Sequence, residues 1–237
     1  SAFKPDTGFW LNGRNVRLVG AARHQDRAGI GNALTAAEHE EDMQILRDMG
    51  ANTVRLAHYQ HAQYFYDLCD KYGLVAWAEI PYITEHMPEA TANTLSQMEE
   101  LVLQNYNHPS IICWGLSNEI TVTTGVTEDL TANHRLLNDL CHRLDATRPT
   151  TMAHAFMLDP NDPFVQLPDI CSYNLYYGWY LGELQQNDEF FDTFHKNHPD
   201  RVIGLSEFGA DANPAYQSAR PERGDWSESY QAVYHEH

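Results

Sequence analysis

The chain has 237 residues, with 15 Lys and Arg against 33 Asp and Glu, a formal net charge of −18 and a pI near 4.9. That balance repels phosphate backbones and anionic membranes, and no basic stripe offsets it, so nucleic acid is excluded and the expected partners are neutral or cationic. With 43% hydrophobic and 11% aromatic residues it can bury a sizeable core, while no apolar run approaches the roughly 18 to 20 residues of a membrane span, which predicts a soluble globular piece whose compartment is left open.

In chain order, short β-branched or apolar runs alternate with amphipathic segments. Strands are predicted at residues 16–20, 53–57, 74–78, 111–116, 150–154, 170–174 and 202–206. After the first, Thr35-Ala-Ala-Glu38 has the form of a capping box, and Met43, Leu46 and Met49 carry an apolar stripe to Gly50. Phe65, Leu68, Cys69 and Tyr72 mark a second helix that stops at Gly73, and Leu95, Met98, Leu101 and Val102 a third that ends before Asn107-His108-Pro109. Leu130, Leu137, Leu140, Cys141 and Leu144 mark a fourth, stopped by Arg148-Pro149. The proline-rich stretch 160–168 predicts little helix, and two last helices are expected around residues 190–194 and from Trp226 onward. Cys69, Cys113, Cys141 and Cys171 are widely spaced with no C-x-x-C pair, so neither a disulfide framework nor a thiolate zinc site is expected.

Seven successive βα units, with no glycine-rich phosphate loop after any strand, suggest a (β/α)8 barrel rather than a doubly wound sheet. In a barrel the chemistry sits where strands end, so polar residues closing apolar runs are informative. The fourth run ends Ser117-Asn118-Glu119 and the seventh ends Ser206-Glu207. Strands four and seven face each other across an eight-stranded barrel, and two facing carboxylates are the equipment of glycoside hydrolysis. One attacks the anomeric carbon while the other protonates the leaving oxygen, and their mutual repulsion separates the two acidities. The plainer alternative, that each Glu caps a helix or pairs with an Arg, loses weight because the two occur together.

Trp114-Gly-Leu-Ser-Asn-Glu119, Ser206-Glu-Phe-Gly209, Asn52-Thr-Val-Arg-Leu-Ala-His-Tyr59 and Asn174-Leu-Tyr-Tyr-Gly-Trp-Tyr180 together resemble the catalytic barrel of glycoside hydrolase family 2. The resemblance runs from about Phe9-Trp10-Leu11-Asn12-Gly13 almost to the last residue, so residues 1–237 are read as a single catalytic TIM-barrel domain. The family's enzymes are retaining, and the resemblance implies Glu207 as nucleophile and Glu119 as general acid/base. It implies Asn118 on the sugar 2-hydroxyl, Arg55 and Tyr176 on the nucleophile, and His24, Asp26 and His58 as further sugar contacts. Tyr180 is expected to line the pocket and Trp179, placed in a loop, to offer a stacking face; Trp77 and Trp114 lie inside strands and are expected to pack in the core.

The resemblance is closest to the β-galactosidase branch, through Arg23-His-Gln-Asp26 and the Asn174–Tyr180 motif, with a β-glucuronidase as the rival. Glucuronidases hold the substrate carboxylate with groups beyond the eighth-strand region, and the acidic balance disfavours an anionic sugar. A non-catalytic carbohydrate-binding barrel is the alternative from another class; it could shed one carboxylate, whereas both are present. No cofactor is implied, and Schiff-base chemistry is not expected because no strand run ends in Lys. No metal site is expected: the histidine pairs lack an H-E-x-x-H arrangement, and Glu85-His86 are adjacent where some galactosidases of the family have Glu-x-His. The implied partners are a carbohydrate substrate and additional β-sandwich domains. Seven strands, and a chain that stops inside a helical pattern at Tyr234–His237, predict a barrel without its eighth strand and weak or no activity in isolation.

Overall fold

The computed structural model describes residues 1–237. Seven parallel strands form one curled sheet: β4 (Gly20–Arg23), β5 (Thr53–Leu56), β6 (Val75–Glu79), β7 (Ile111–Asn118), β8 (Thr150–Ala155), β9 (Ile170–Asn174) and β10 (Val202–Glu207), adjacent in chain order. The sheet is not closed by hydrogen bonds, and β4 and β10 are its edges. This is a TIM barrel with seven of its eight strands. The central β7 is buried along its whole length, whereas most of β10 is partly exposed.

The helices wrap the outside: α1 (Ala36–Asp48), α2 (Gln63–Tyr72), α3 (Thr91–Asn105), α4 (Glu128–Leu144), α5 (Gln186–Asn197) and α6 (Glu228–Glu236). The Thr35/Glu38 capping box is present in both directions, and Gly73 closes α2 in the left-handed conformation at φ 73°. Between the sheet and the first four helices lies one apolar cluster that includes Met43, Phe65, Met98, Leu101, Leu116 and Leu137. All four cysteines are buried and unpaired.

Two features depart from the sequence reading. The first barrel strand is β4, four residues later than the β-branched run suggested. Residues Val16 and Leu18 instead pack with Phe9, Val75 and Ile112 at the barrel floor. Asn52 fixes this segment, its amide donating to the Arg17 carbonyl at 2.8 Å while its own side-chain oxygen accepts from the Val19 N–H at 2.9 Å. Pairing with β5 starts at Gly20, where a Cβ would collide with the Thr53 backbone. The second feature is an antiparallel sheet of β1 (Ala2–Lys4), β2 (Gly8–Leu11) and β3 (Arg14–Asn15) ahead of the barrel. Asn12 and Gly13 make its turn with φ of 50° and 77°, the left-handed pair that two-residue hairpins require.

Candidate active site

Five of the seven parallel strands, β5, β6, β7, β9 and β10, carry polar residues at or near their C-terminal ends that meet at the barrel mouth. Arg55 from β5, 5% exposed, is the hub. Its Nε and Nη2 donate to the two oxygens of Glu79, the last residue of β6, both at 3.0 Å. Nη1 donates to Glu207 Oε1 at 2.7 Å and Nη2 to Asn118 Oδ1 at 2.8 Å. One guanidinium thereby ties β5 to β6, β7 and β10. Beneath it lies the Trp77 ring, whose centroid is 5.0 Å from the guanidinium carbon.

Glu79 is 1% exposed. Burial by itself pushes its carboxyl up, but the Arg55 charge and the hydrogen bonds from His58 and Arg55 outweigh that and hold it below its ordinary value of 4.5. The same pairing offsets desolvation at Arg55 and keeps the guanidinium above its usual range, with Glu207 adding to the effect.

Glu207 closes β10 and is 17% exposed. Its Oε1 accepts from Arg55, and its Oε2 accepts from the Tyr176 hydroxyl at 2.7 Å. Burial first, and then the Glu207 charge, push the Tyr176 phenol well up, so it stays a hydrogen-bond donor. Glu119 follows β7 immediately and has a left-handed backbone at φ 45°, rare for a residue with a side chain. Its N–H donates to the Ala153 carbonyl at 2.8 Å. The Asn174 amide at the end of β9 donates to Glu119 Oε1 at 3.0 Å and reaches Asn118 Oδ1 at 3.2 Å, while its own oxygen accepts from Ser206 Oγ at 2.7 Å. A continuous chain of hydrogen bonds, through Arg55, Asn118 and Asn174, thus joins the two carboxylates.

His58 stands beside this chain, its Nδ1 at 2.9 Å from Glu79 Oε1 and its Nε2 at 3.6 Å from Glu207 Oε1. The exposed His24 ring meets His58 edge-on at 5.1 Å between centroids. Partial burial, with the neighbouring His58 next in importance, moves His24 below its ordinary value, and Asp26 opposes that shift. Asp26 is exposed in the same loop and makes none of the cluster's hydrogen bonds. Below the loop, Arg23 is fully engaged. It donates from Nε and Nη2 to Asp42 at 2.9 and 2.7 Å, from Nη1 to His61 at 2.9 Å and from Nη2 to His39 at 3.0 Å. Burial pushes His61 down to about 3, which suits a neutral ring accepting from an arginine.

The structure brings Glu119, Glu207, Arg55, His58, Asn118 and Tyr176 together, with His24 at the rim. Tyr180 is 66% exposed, and its ring lies 4.8 Å from that of Tyr176. Trp179 is a correction. Only 7% exposed, it packs against Trp226 at 5.2 Å and Tyr230 at 6.2 Å, joining its loop to α6, so its faces are not offered to a sugar. The structure adds Glu79, Asn174 and Ser206 to the cluster. The signal was there, since Glu79 and Asn174 close strands in the same way as Glu207.

The description "Glycosyl hydrolases family 2, TIM barrel domain" matches residues 4–236. The chain belongs to this family. It is 42% identical over 245 residues to a β-glucuronidase of Bacteroides fragilis, covering 98% of this chain and 34% of the relative. A β-galactosidase of Thermoanaerobacterium thermosulfurigenes is 36% identical over 154 residues, covering 63% of this chain and 20% of that protein. Among solved structures, an FMN-binding β-glucuronidase from F. prausnitzii L2-6 superposes with a TM-score of 0.96 at 46% identity, covering 99% of this chain and 37% of that one. A Bacteroides uniformis β-glucuronidase gives 0.95 at 37%, covering 99% and 30%. The chain spans about a third of the length of the curated relatives it matches.

Proposed function

We propose that this barrel is the catalytic domain of a retaining β-glucuronidase. The observation that carries the chemistry is the pair of strand-mouth carboxylates held by different partners in one hydrogen-bonded cluster. Glu207, an acceptor for Arg55 and Tyr176, is the nucleophile: it attacks the anomeric carbon and forms a glycosyl ester. Glu119 gives its proton to the departing oxygen, then takes one from the water that cleaves the ester, so the configuration is retained. In this reading Asn118, held by Arg55 and Asn174, hydrogen-bonds the sugar 2-hydroxyl beside the reacting carbon.

For the sugar, the galactoside first expected gives way to a glucuronide. Among the curated relatives, those that span nearly the whole chain at 30 to 42% identity are named β-glucuronidases, whereas a β-galactosidase matches 63% of it; of the solved structures that cover the chain at 36 to 46% identity, one from Bacteroides fragilis is described as a β-galactosidase and the others as β-glucuronidases. The net charge weighs little against this reading, because long-range charge is screened beyond about 8 to 10 Å, while a substrate carboxylate is recognised by contacts. Additional domains of the full-length protein complete the pocket in this reading.

The test is to compare para-nitrophenyl β-glucuronide and β-galactoside with the full-length protein, alongside Glu207→Gln. A clear glucuronide preference is expected, with turnover abolished but sugar affinity nearly unchanged in the variant. A galactoside preference would overturn the specificity, and an unchanged rate in Glu207→Gln would overturn the nucleophile.

A further inference from the structure

Behind the acid/base lies a buried polar network outside the sugar pocket. It begins on the surface at Asp129, in the first turn of α4, whose side chain is 58% exposed. Asp129 accepts from His86 Nε2 at 2.7 Å, and the other ring nitrogen of His86 accepts from the Tyr82 hydroxyl. That hydroxyl in turn accepts from the Asn133 amide at 3.1 Å. The directions agree from end to end: Asn133 donates to Tyr82, Tyr82 to His86 and His86 to Asp129. Such a chain fixes the rotamer of every member.

The network ends on the strand that carries Glu119. The Tyr82 carbonyl accepts from the Asn118 N–H at 2.9 Å, and the Thr84 N–H donates to the Asn118 carbonyl at 3.1 Å. This loop therefore adds a parallel bridge, Ile83 to Asn118, beyond the regular end of the β6 and β7 pairing. The Tyr82 ring also stacks on His134, 5.1 Å between centroids, and His134 Nε2 lies 2.8 Å from Ser117 Oγ. Residues Ser117 and Asn118, directly before Glu119, are thus gripped through both side chain and backbone. Glu119 needs such a grip, because a left-handed conformation with a side chain persists only where the surroundings over-determine it.

We propose that Tyr82, oriented by His86 and Asp129, is a positioning residue for the proton-donating carboxylate Glu119. The inference rests on Glu119 being the general acid/base. Tyr82 touches no reacting atom; it sets the backbone from which Glu119 projects, and it has no hydrogen bond to Arg55, Tyr176 or Glu207. Its loss therefore falls on proton donation, which a poor leaving group requires and a good one does not.

The experiment compares phenyl and para-nitrophenyl β-glucuronide, under kcat/KM conditions with the full-length protein, for Tyr82→Phe, Asp129→Asn and Glu119→Gln. Tyr82→Phe keeps the ring on His134, and Asp129→Asn alters only the exposed end of the network. Glu119→Gln is the reference and should lose far more on the phenyl substrate. For Tyr82→Phe the phenyl substrate should lose roughly ten-fold more than the nitrophenyl one, a part of the hundred- to ten-thousand-fold that general acid catalysis supplies. Asp129→Asn should show a smaller bias of the same sign. Equal losses on both substrates in Tyr82→Phe and Asp129→Asn, with the bias intact in Glu119→Gln, would overturn the positioning role alone. No bias in Glu119→Gln would overturn the acid/base reading, and the inference with it.

Discussion

Replacing Glu79 by Gln removes a charge at the centre of the site while nearly preserving volume. In the native site Arg55 spends two of its five N–H groups on Glu79, both at 3.0 Å. A glutamine can accept one of these; its amide then confronts the other N–H, donor against donor. The guanidinium remains buried and loses one of its two carboxylate partners. Breaking a buried pair from one side costs about 3 to 5 kcal/mol, against the roughly 5 to 15 kcal/mol that holds a domain together. The variant should therefore fold, but with a large loss of stability.

The pH dependence gives the sharper test. The folded Glu79 carboxyl sits below its ordinary value of 4.5, so its contribution is fully present above that value and is lost as pH falls through the depressed folded one. The glutamine has no such proton to gain. Urea unfolding of the full-length protein and of Glu79→Gln should show the gap of about 3 to 5 kcal/mol at pH 7, narrowing as the pH is taken below about 4. A gap under about 1 kcal/mol at pH 7, the range of an exposed pair, would refute the reasoning, and so would one that stays constant or widens on acidification.

Three further outcomes follow from the geometry. Tyr176→Phe deletes one charge-assisted hydrogen bond to Glu207, about 1.5 to 3 kcal/mol, and steady-state kinetics should show kcat lowered roughly ten- to hundred-fold while the melting temperature changes little. Gly115→Ala would place a Cβ 2.5 Å from that of Glu79, and such overpacking should cost about 1 to 3 kcal/mol in thermal unfolding as well as lowering activity. Thr35→Ala removes one half of the capping box on α1, far from the site, and should cost about 1 kcal/mol in denaturant unfolding with kcat unchanged.

The elements legible in the sequence are those whose signals are local. The capping box at Thr35, the left-handed stop at Gly73 and the stripe of Phe65, Leu68 and Cys69 are decided within a few residues, and the structure has them where expected. The first barrel strand was misplaced because β-branched content marks an extended segment but not its partner. Here the partner is fixed by a close approach at Gly20 and by the Asn52 side chain, 33 residues from Val19. The small antiparallel sheet is built of strands of two to four residues, too short for alternation to register. Its Asn12-Gly13 turn was the available clue. Trp179 departs from expectation for a related reason: a loop position suggests an exposed ring, but α6 returns to cover it with Tyr230.

The rule that points to Glu119 and Glu207, a polar residue closing an apolar strand, applies equally to Glu79 and Asn174. What sequence could not supply is who meets whom. Arg55 contacts partners 24, 63 and 152 residues away, on three different strands. The last of these spans the barrel interior rather than following its wall, joining β5 to the edge strand β10. Arg55 therefore both orients Glu207 and ties one edge strand to the body of the sheet. A substitution of Arg55 would lose activity and sheet register together and could not assign the loss to either. Glu79→Gln and Tyr176→Phe each alter one neighbour of the Arg55 to Glu207 tie and leave the tie itself in place, so a fall in stability for the first and a selective fall in turnover for the second report on the buried ion pair and on the hydroxyl contact to Glu207 one at a time.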